Sequence, residues 1–350
     1  MECVNPPTFR TMGITRRQGR PDVRKRMPTI YEVAARAGVS PATVSRVFNG
    51  QNVSADKSRR VREAAETLGF TPNRVARTLR LQNSEVIALV IPDIENPFFT
   101  SLARGVEDVA QAAGYSVVLC NTDEDHEKES RYLDIALSAN MAGVILAAAG
   151  DHSDLDALIR RGRPIVAVDR GPHGYDIDAV LVDSRAGGRA ATEALAAQGF
   201  RRIACITGPR DVETATLRAE GWRAAVTGLR LEHDEQHLIY ADFRIDGGHK
   251  AMRQLVELPT PPDAVFVANN LMGVGALQLL AERGLLPPAV GMAVFGDLPI
   301  FAPTPLAVTL VSLPARHLGV TAADLLLKRI NGDDQPPRTI VLRNQIVASS

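Results

Sequence analysis

Residues 29–50 read TIYEVAARAGVSPATVSRVFNG, and the spacing of their apolar side chains predicts two short helices joined by a tight turn. Ile30, Val33, Ala34 and Ala37 recur at helical spacing, and Thr29 supplies an N-cap oxygen. Gly38 ends this helix, because a residue without a Cβ enters the left-handed conformation at little cost. Val39 points inward, Ser40 caps the next helix, and Pro41 suits a first turn whose N–H has no partner. Val44 and Val47 then face the core, while Thr43, Ser45, Arg46 and Asn49 fall on other faces. The small Ala34 allows the two helices to cross closely. Hydroxyl, amide and guanidinium groups on the second helix are the groups that reach phosphates and base edges, so the pattern describes a helix-turn-helix.

Working outward, a third helix is expected over Asp56–Leu68, burying Val61, Ala64, Ala65 and Leu68. Gly69 ends it and Phe70 folds back onto the bundle. The stretch TPNRVARTLRLQNS at 71–84 has helix-forming residues but a thin apolar face, so it is expected to fold only when bound, as a hinge. Residues 1–27 are polar and basic with no apolar period and are expected to be disordered. The chain's formal charge is zero, yet the signs are segregated. Residues 1–82 hold sixteen Lys/Arg against six Asp/Glu, which makes them +10 and the remainder −10. A basic head on an acidic body points to a polyanion-binding module carried by a domain with another task.

At 350 residues the chain exceeds what one core usually spans. From Glu85 onward, apolar runs of strand length alternate with helical patterns: VIALVI at 86–91, YSVVLC at 115–120, AGVILAA at 142–148, PIVAVD at 164–169 and DAVLVD at 178–183. The alternation resumes with RIACITG at 202–208 and DAVFVANN at 263–270, and runs on to a long helix at 315–330. Such alternation predicts parallel sheets covered by helices on both faces, with enough units for two doubly wound lobes. Ligands of such lobes bind in the crevice beyond the strand C-termini.

Several function classes are excluded. No apolar run reaches the length of a membrane span, and the N-terminus lacks a secretory signal pattern, so a cytoplasmic location is expected. Cys3, Cys120 and Cys205 are too scattered for a disulfide framework, and the last two fall in strand-like runs as small core residues. The sequence holds no P-loop, Gly-x-Gly-x-x-Gly after a strand, Gly-x-Ser-x-Gly or His-Glu-x-x-His, so no enzyme and no cofactor is expected. His233 and His237 are four apart, but with acids between them and no third ligand they read as a solvated loop, not a metal site.

The run at 29–50 and the continuation VSADKSRRVREAAETLGFTPNRVARTLR closely resemble the LacI/GalR family of bacterial regulators. The resemblance continues through IPDIENPFF at 91–99, VDR at 168–170, LRAEGWRAA at 217–225, FVANNLMGVGAL at 266–277 and the C-terminal strand. It implies a small all-α helix-turn-helix headpiece followed by a two-lobed α/β domain of periplasmic-binding-protein type. The implied divisions are a basic extension at 1–27, a headpiece at 28–72, a hinge at 73–84 and an effector-binding and dimerisation domain at 85–350. It further implies a homodimer or dimer of dimers on pseudo-palindromic operator DNA, with a sugar or sugar-acid effector. The sign of regulation stays open between repressor, activator and corepressor-dependent repressor. A solute-binding receptor would account for the body but leaves the headpiece without a use.

Carried over residue by residue, the resemblance places Pro41, Ala42 and Arg46 against bases, and Thr29, Thr43, Ser45 and Asn49 on phosphates. Pro41 and Ala42 have no side-chain donor, so thymine methyl contact and the reach of Arg46 to guanine would carry the readout. Asn73, Arg74, Ala76 and Leu79 match the hinge helix, with Leu79 as the wedge that enters the minor groove. The implied effector set is Asn96, Phe98, Asp123, Asp169, Arg170, Arg218, Phe243 and Asn269. Amides and carboxylates pair with vicinal hydroxyls, Arg218 forks across two oxygens, and aromatic faces stack on a sugar ring. One departure stands out. Where the family commonly has Gly-Phe-Asp-Asp, this chain has Val294-Phe295-Gly296-Asp297, which leaves Asp297 as the neighbouring carboxylate and points away from a plain neutral hexose.

Overall fold

Thr29 begins a capping box. In the computed structural model, which describes residues 28–48, 52–70, 84–150, 153–232, 234–298 and 307–348, the Thr29 hydroxyl accepts the Glu32 N–H at 3.4 Å and the Glu32 carboxylate accepts the Thr29 N–H at 2.5 Å. Two orphan donors of the first turn are thereby satisfied. Helix α1 (Ile30–Ala37) ends at Gly38, whose φ of 61° is left-handed. The Arg60 guanidinium also lies where a Cβ on Gly38 would sit, and it donates to the carbonyls of Ala37 at 2.5 Å and Gly38 at 3.3 Å. Helix α2 (Pro41–Phe48) starts with the Ser40 hydroxyl accepting the Thr43 N–H at 3.2 Å. Helix α3 (Ala55–Leu68) starts one residue before the expected Asp56, with Ser54 in the cap position. The three helices close over Val33, Ala34, Ala37, Val44, Val47, Val61, Ala64 and Ala65, with Phe70 packed at the edge. Residues 71–83 of the hinge stretch and the basic extension lie outside the described residues.

A separate unit, described from Ser84 onward, holds two six-stranded sheets. The first lobe contains β1 (Val86–Ile91), β2 (Ser116–Asn121), β3 (Gly143–Leu146), β4 (Ile165–Val168) and β5 (Asp178–Val182). Its helices include α4 (Pro97–Ala112), α5 (His126–Ser138) and α6 (Asp156–Arg160). Helix α7 (Ser184–Ala197) carries the chain into the second lobe. There β6 (Ile203–Thr207), α8 (Glu213–Gly228), β7 (Leu238–Tyr240), α9 (Ile245–Val256), β8 (Ala264–Val267), α10 (Asn270–Glu282), β9 (Gly291–Phe295) and β10 (Val308–Ser312) follow. Helix α11 (Ala315–Ile330) returns to the first lobe and packs on α4. The expected C-terminal strand proves to be two short ones. β11 (Thr339–Leu342) completes the first sheet, and β12 (Gln345–Ala348) completes the second.

The first sheet runs β11-β5-β4-β3-β1-β2, parallel throughout. The second runs β12-β10-β9-β8-β6-β7, with only β12 antiparallel. Strands covered on both faces need apolar residues at consecutive positions, which is why β1, β3, β4, β6, β8 and β9 read as unbroken hydrophobic runs. The order reverses at β1 in one lobe and at β6 in the other, and ligands collect at such switch points. Three helix pairs approach through facing glycines. A Cβ on Gly105 would overlap the Arg316 carbonyl, one on Gly275 the Ile245 carbonyl, and one on Gly188 the Arg218 carbonyl. The last of these sets how close α8, and with it Arg218, lies to α7.

Candidate functional site

Loops after the strand C-termini of both lobes meet across a cleft of about 530 Å³. From the first lobe come Asp93 and Asn96 after β1, Glu124 after β2, and Asp169 and Arg170 after β4. From the second come Thr214 and Arg218 on α8, Phe243 and Arg244 after β7, Asn269 and Asn270 at the start of α10, and Phe295 and Gly296 at the end of β9. Local chemistry fixes several of them. The Asn96 side chain caps α4 by accepting the Phe98 N–H at 3.0 Å, and Asn269 caps α10 by accepting the Met272 N–H at 2.7 Å. Phe243 folds over Gly208, where any Cβ would strike its ring.

The polar groups are arranged as pairs that reach from one lobe to the other. Arg244 meets Asp93 at 2.9 Å, and the Asn270 amide donates to Asn96 at 3.0 Å. The Gly171 N–H donates to Glu213 at 2.6 Å. Arg218 faces Asp169 at 4.0 Å, a loose pair in which both side chains are buried. Arg218 is otherwise held by the Ala268 carbonyl at 2.9 Å and lies 4.0 Å over the Phe295 ring. Within the first lobe, Glu124 grips both terminal nitrogens of Arg170 at 2.7 Å each. Burial raises the Asp169 carboxyl above the usual range, with Arg218 and Arg170 opposing it. Burial draws the Arg218 guanidinium down to about 10, so it stays charged at neutral pH.

Of the residues expected at an effector site, the structure brings Asn96, Phe98, Asp169, Arg170, Arg218, Phe243 and Asn269 into this cleft. Asp123 does not line it. Its side chain is half-exposed and pairs with Lys128 at 2.5 Å, and the next residue, Glu124, turns inward instead. Asp297 is exposed and lines an adjoining cavity with Ser101 and Ala315. Sequence reasoning missed Asp93, Glu124, Thr214, Arg244, Asn270 and Phe295. Asp93 and Arg244 follow strands as Asp169 does, so the position after each strand was the available signal. Nothing in the pattern announces Glu124, because its direction depends on backbone dihedrals.

On the three-helix unit, Ala42 and Arg46 are exposed on α2, and Pro41, Thr43 and Ser45 are half-buried there. The Thr29 hydroxyl is engaged in its capping box. Asn49, Asn73, Arg74, Ala76 and Leu79 lie outside the described residues, as does His233. His237 accepts the Asp234 N–H at 3.2 Å, and among the described residues no group of three His, Cys, Asp or Glu could hold a metal ion. No described helix is long and apolar enough to cross a membrane.

Residues 84–348 match the family described as periplasmic binding proteins and sugar binding domain of LacI family, and residues 29–73 match the bacterial regulatory proteins of the lacI family. The chain belongs to the LacI family. It is therefore a DNA-binding transcriptional regulator with a helix-turn-helix and a sugar-binding effector domain, and it acts by binding, not catalysis. The ribose operon repressor of Escherichia coli K12 is 38% identical over 311 residues, covering 87% of this chain and 93% of that protein. The HTH-type regulator CelR of Thermobifida fusca is 34% identical over 336 residues, covering 93% of this chain and 98% of that protein. Among solved structures, a CelR–cellobiose complex aligns with a TM-score of 0.70 at 32% identity, covering 92% of this chain and 98% of that one. The lac repressor dimer bound to operator and the anti-inducer ONPF aligns with a TM-score of 0.81 at 25% identity and the same coverage.

Proposed function

We propose that the protein is a cytoplasmic, nucleoid-bound homodimeric repressor that leaves a pseudo-palindromic operator when a small uncharged sugar with vicinal hydroxyls fills the cleft. A hinge at 73–84 would link a headpiece at 28–72 to the effector domain at 85–350. One observation carries the ligand class. Each of the three guanidinium groups in the cleft faces its own carboxylate, Arg170 with Glu124, Arg244 with Asp93 and Arg218 with Asp169. Among the described residues no surplus cation is left for a phosphate or an acid, whereas hydroxyls donate to carboxylates and accept from guanidiniums at once. This favours a neutral sugar over the sugar acid that the loss of a carboxylate at Gly296 suggested. The relatives named for ribose and for cellobiose fit the same class.

The test is fluorescence anisotropy on operator DNA selected from the source genome, titrated with D-ribose, D-xylose, D-glucose, cellobiose and D-ribose 5-phosphate. Release by a neutral sugar is expected, and release by the phosphate alone would overturn the reading. In the same assay Arg46→Ala is expected to lose about 1–3 kcal/mol of discrimination at one base pair per half-site. Its affinity for non-operator DNA should fall far less. Unchanged discrimination across single-base operator variants would remove Arg46 from the reading surface.

A further inference from the structure

Glu124 reaches the cleft through an unusual backbone. Asp123 and Glu124 are consecutive non-glycine residues with φ of 55° and 61°, in the left-handed region that L residues rarely adopt. The turn is held from outside by Asp123, which takes the Asn121 amide at 2.7 Å, and by Asp125, which caps α5 through the N–H groups of Glu127 and Lys128. Three successive acids thus point in different directions, and only Glu124 turns into the cleft. Its carboxylate is forked over Arg170, whose side chain is 3% exposed. Arg170 also donates to the Ala148 carbonyl, while its buried Nε has no hydrogen-bond partner. Without Glu124 the described residues of the cleft would set three guanidiniums against two carboxylates, and Arg170 would be the surplus charge.

We propose that Glu124 is the residue that sets the charge selectivity of the effector site. By occupying both terminal nitrogens of Arg170 it converts the first lobe's cation into a neutral pair. The cleft then takes uncharged polyols and refuses sugar phosphates. The inference rests on the neutral-sugar reading above, but its test separates the two.

Full-length wild type, Glu124→Gln and Arg170→Gln are titrated calorimetrically with D-ribose and D-ribose 5-phosphate, and their melting temperatures are followed against inorganic phosphate. Glu124→Gln is expected to raise the phosphate-to-ribose affinity ratio by about tenfold or more, because a buried guanidinium is released from its partner. Arg170→Gln should move the ratio the other way, since it leaves Glu124 as surplus negative charge. Phosphate should stabilise Glu124→Gln more than wild type, and Arg170→Gln less. A Glu124 that merely props up Arg170 would lower both affinities together, and an unchanged ratio in both variants overturns the proposal. If Glu124→Gln does not fold, the direction of the Arg170→Gln shift decides. Should no neutral sugar bind wild type while the variants still shift phosphate binding in opposite directions, the neutral-sugar reading fails and the role of Glu124 stands.

Discussion

Asp178→Ala is expected to lower the stability of the effector domain by about 3–5 kcal/mol, the range for removing one member of a buried ion pair. Asp178 starts β5 with its side chain 1% exposed. Arg329, near the end of α11, meets its two oxygens at 2.6 and 3.0 Å, and the Arg338 N–H donates to it at 2.9 Å. One carboxylate therefore ties together the start of a strand, the end of a helix and the segment leading into β11. Replacing it leaves a guanidinium desolvated without its counter-charge. Urea denaturation of the two proteins measures the difference, and a loss under about 1 kcal/mol would show that Arg329 finds adequate carbonyl partners alone. Asp178→Asn/Arg329→Met should recover much of the loss, because it removes both charges.

The same residue gives a pH signature. Burial would raise the Asp178 carboxyl, but the Arg329 hydrogen bond and the Arg338 backbone N–H outweigh it and hold the group below its usual range. Its contribution is thus present above the ordinary carboxylate range and lost as pH falls through the lowered folded value. Asp169 has the opposite sign. Raised first by burial, it contributes stability below the carboxylate range that is lost as pH rises through its folded value. The Asp178→Ala protein should show a flatter acid limb than wild type.

Arg218→Ala is expected to weaken sugar binding by about 100-fold or more, leaving operator occupied at sugar concentrations that release wild type. The Ala268 carbonyl holds Nη1 at 2.9 Å, Ser184 lies 3.4 Å from Nε, and Phe295 supports the guanidinium plane from 4.0 Å. Nη2 is left facing Asp169 at 4.0 Å, too far for a hydrogen bond, so it is the donor free to take a ligand oxygen between the lobes. Truncation removes that donor and leaves Asp169 buried beside Arg170 alone. Arg218→Lys should fall between the two, since it keeps the charge and loses the planar fork. Calorimetric titration with the inducing sugar reads the effect, and a change under about tenfold would mean that ligand contacts lie elsewhere in the cleft.

Helix starts show where pattern reading stops. Helices α7, α8 and α9 begin at Ser184, Glu213 and Ile245. In α7 the Asp183 side chain caps the first turn by accepting the Ala186 N–H at 2.9 Å, so the helix starts directly off β5. A cap of this kind is made by a polar residue that carries no apolar period.

The sequence by itself determined the helix-turn-helix. Thr29, Gly38, Ser40 and the valines of α1 and α2 are local signals, read over a few residues and satisfied by neighbours within one turn. It also determined two doubly wound lobes, because strands covered on both faces must be continuously apolar. Asn96, Asp169, Arg170 and Asn269 were implied by the family resemblance, and the structure places them after those strands, where doubly wound lobes bind ligands. Only the tertiary structure decided which acid of Asp123-Glu124-Asp125 enters the cleft, and that Arg244 and Asn270 meet Asp93 and Asn96 from the opposite lobe. These pairings join residues as many as 174 positions apart. They depend on backbone dihedrals and on how two separately wound sheets face each other, neither of which has a local signature in the chain. The charge balance of the cleft, and with it the class of sugar, is therefore a property of the assembled site.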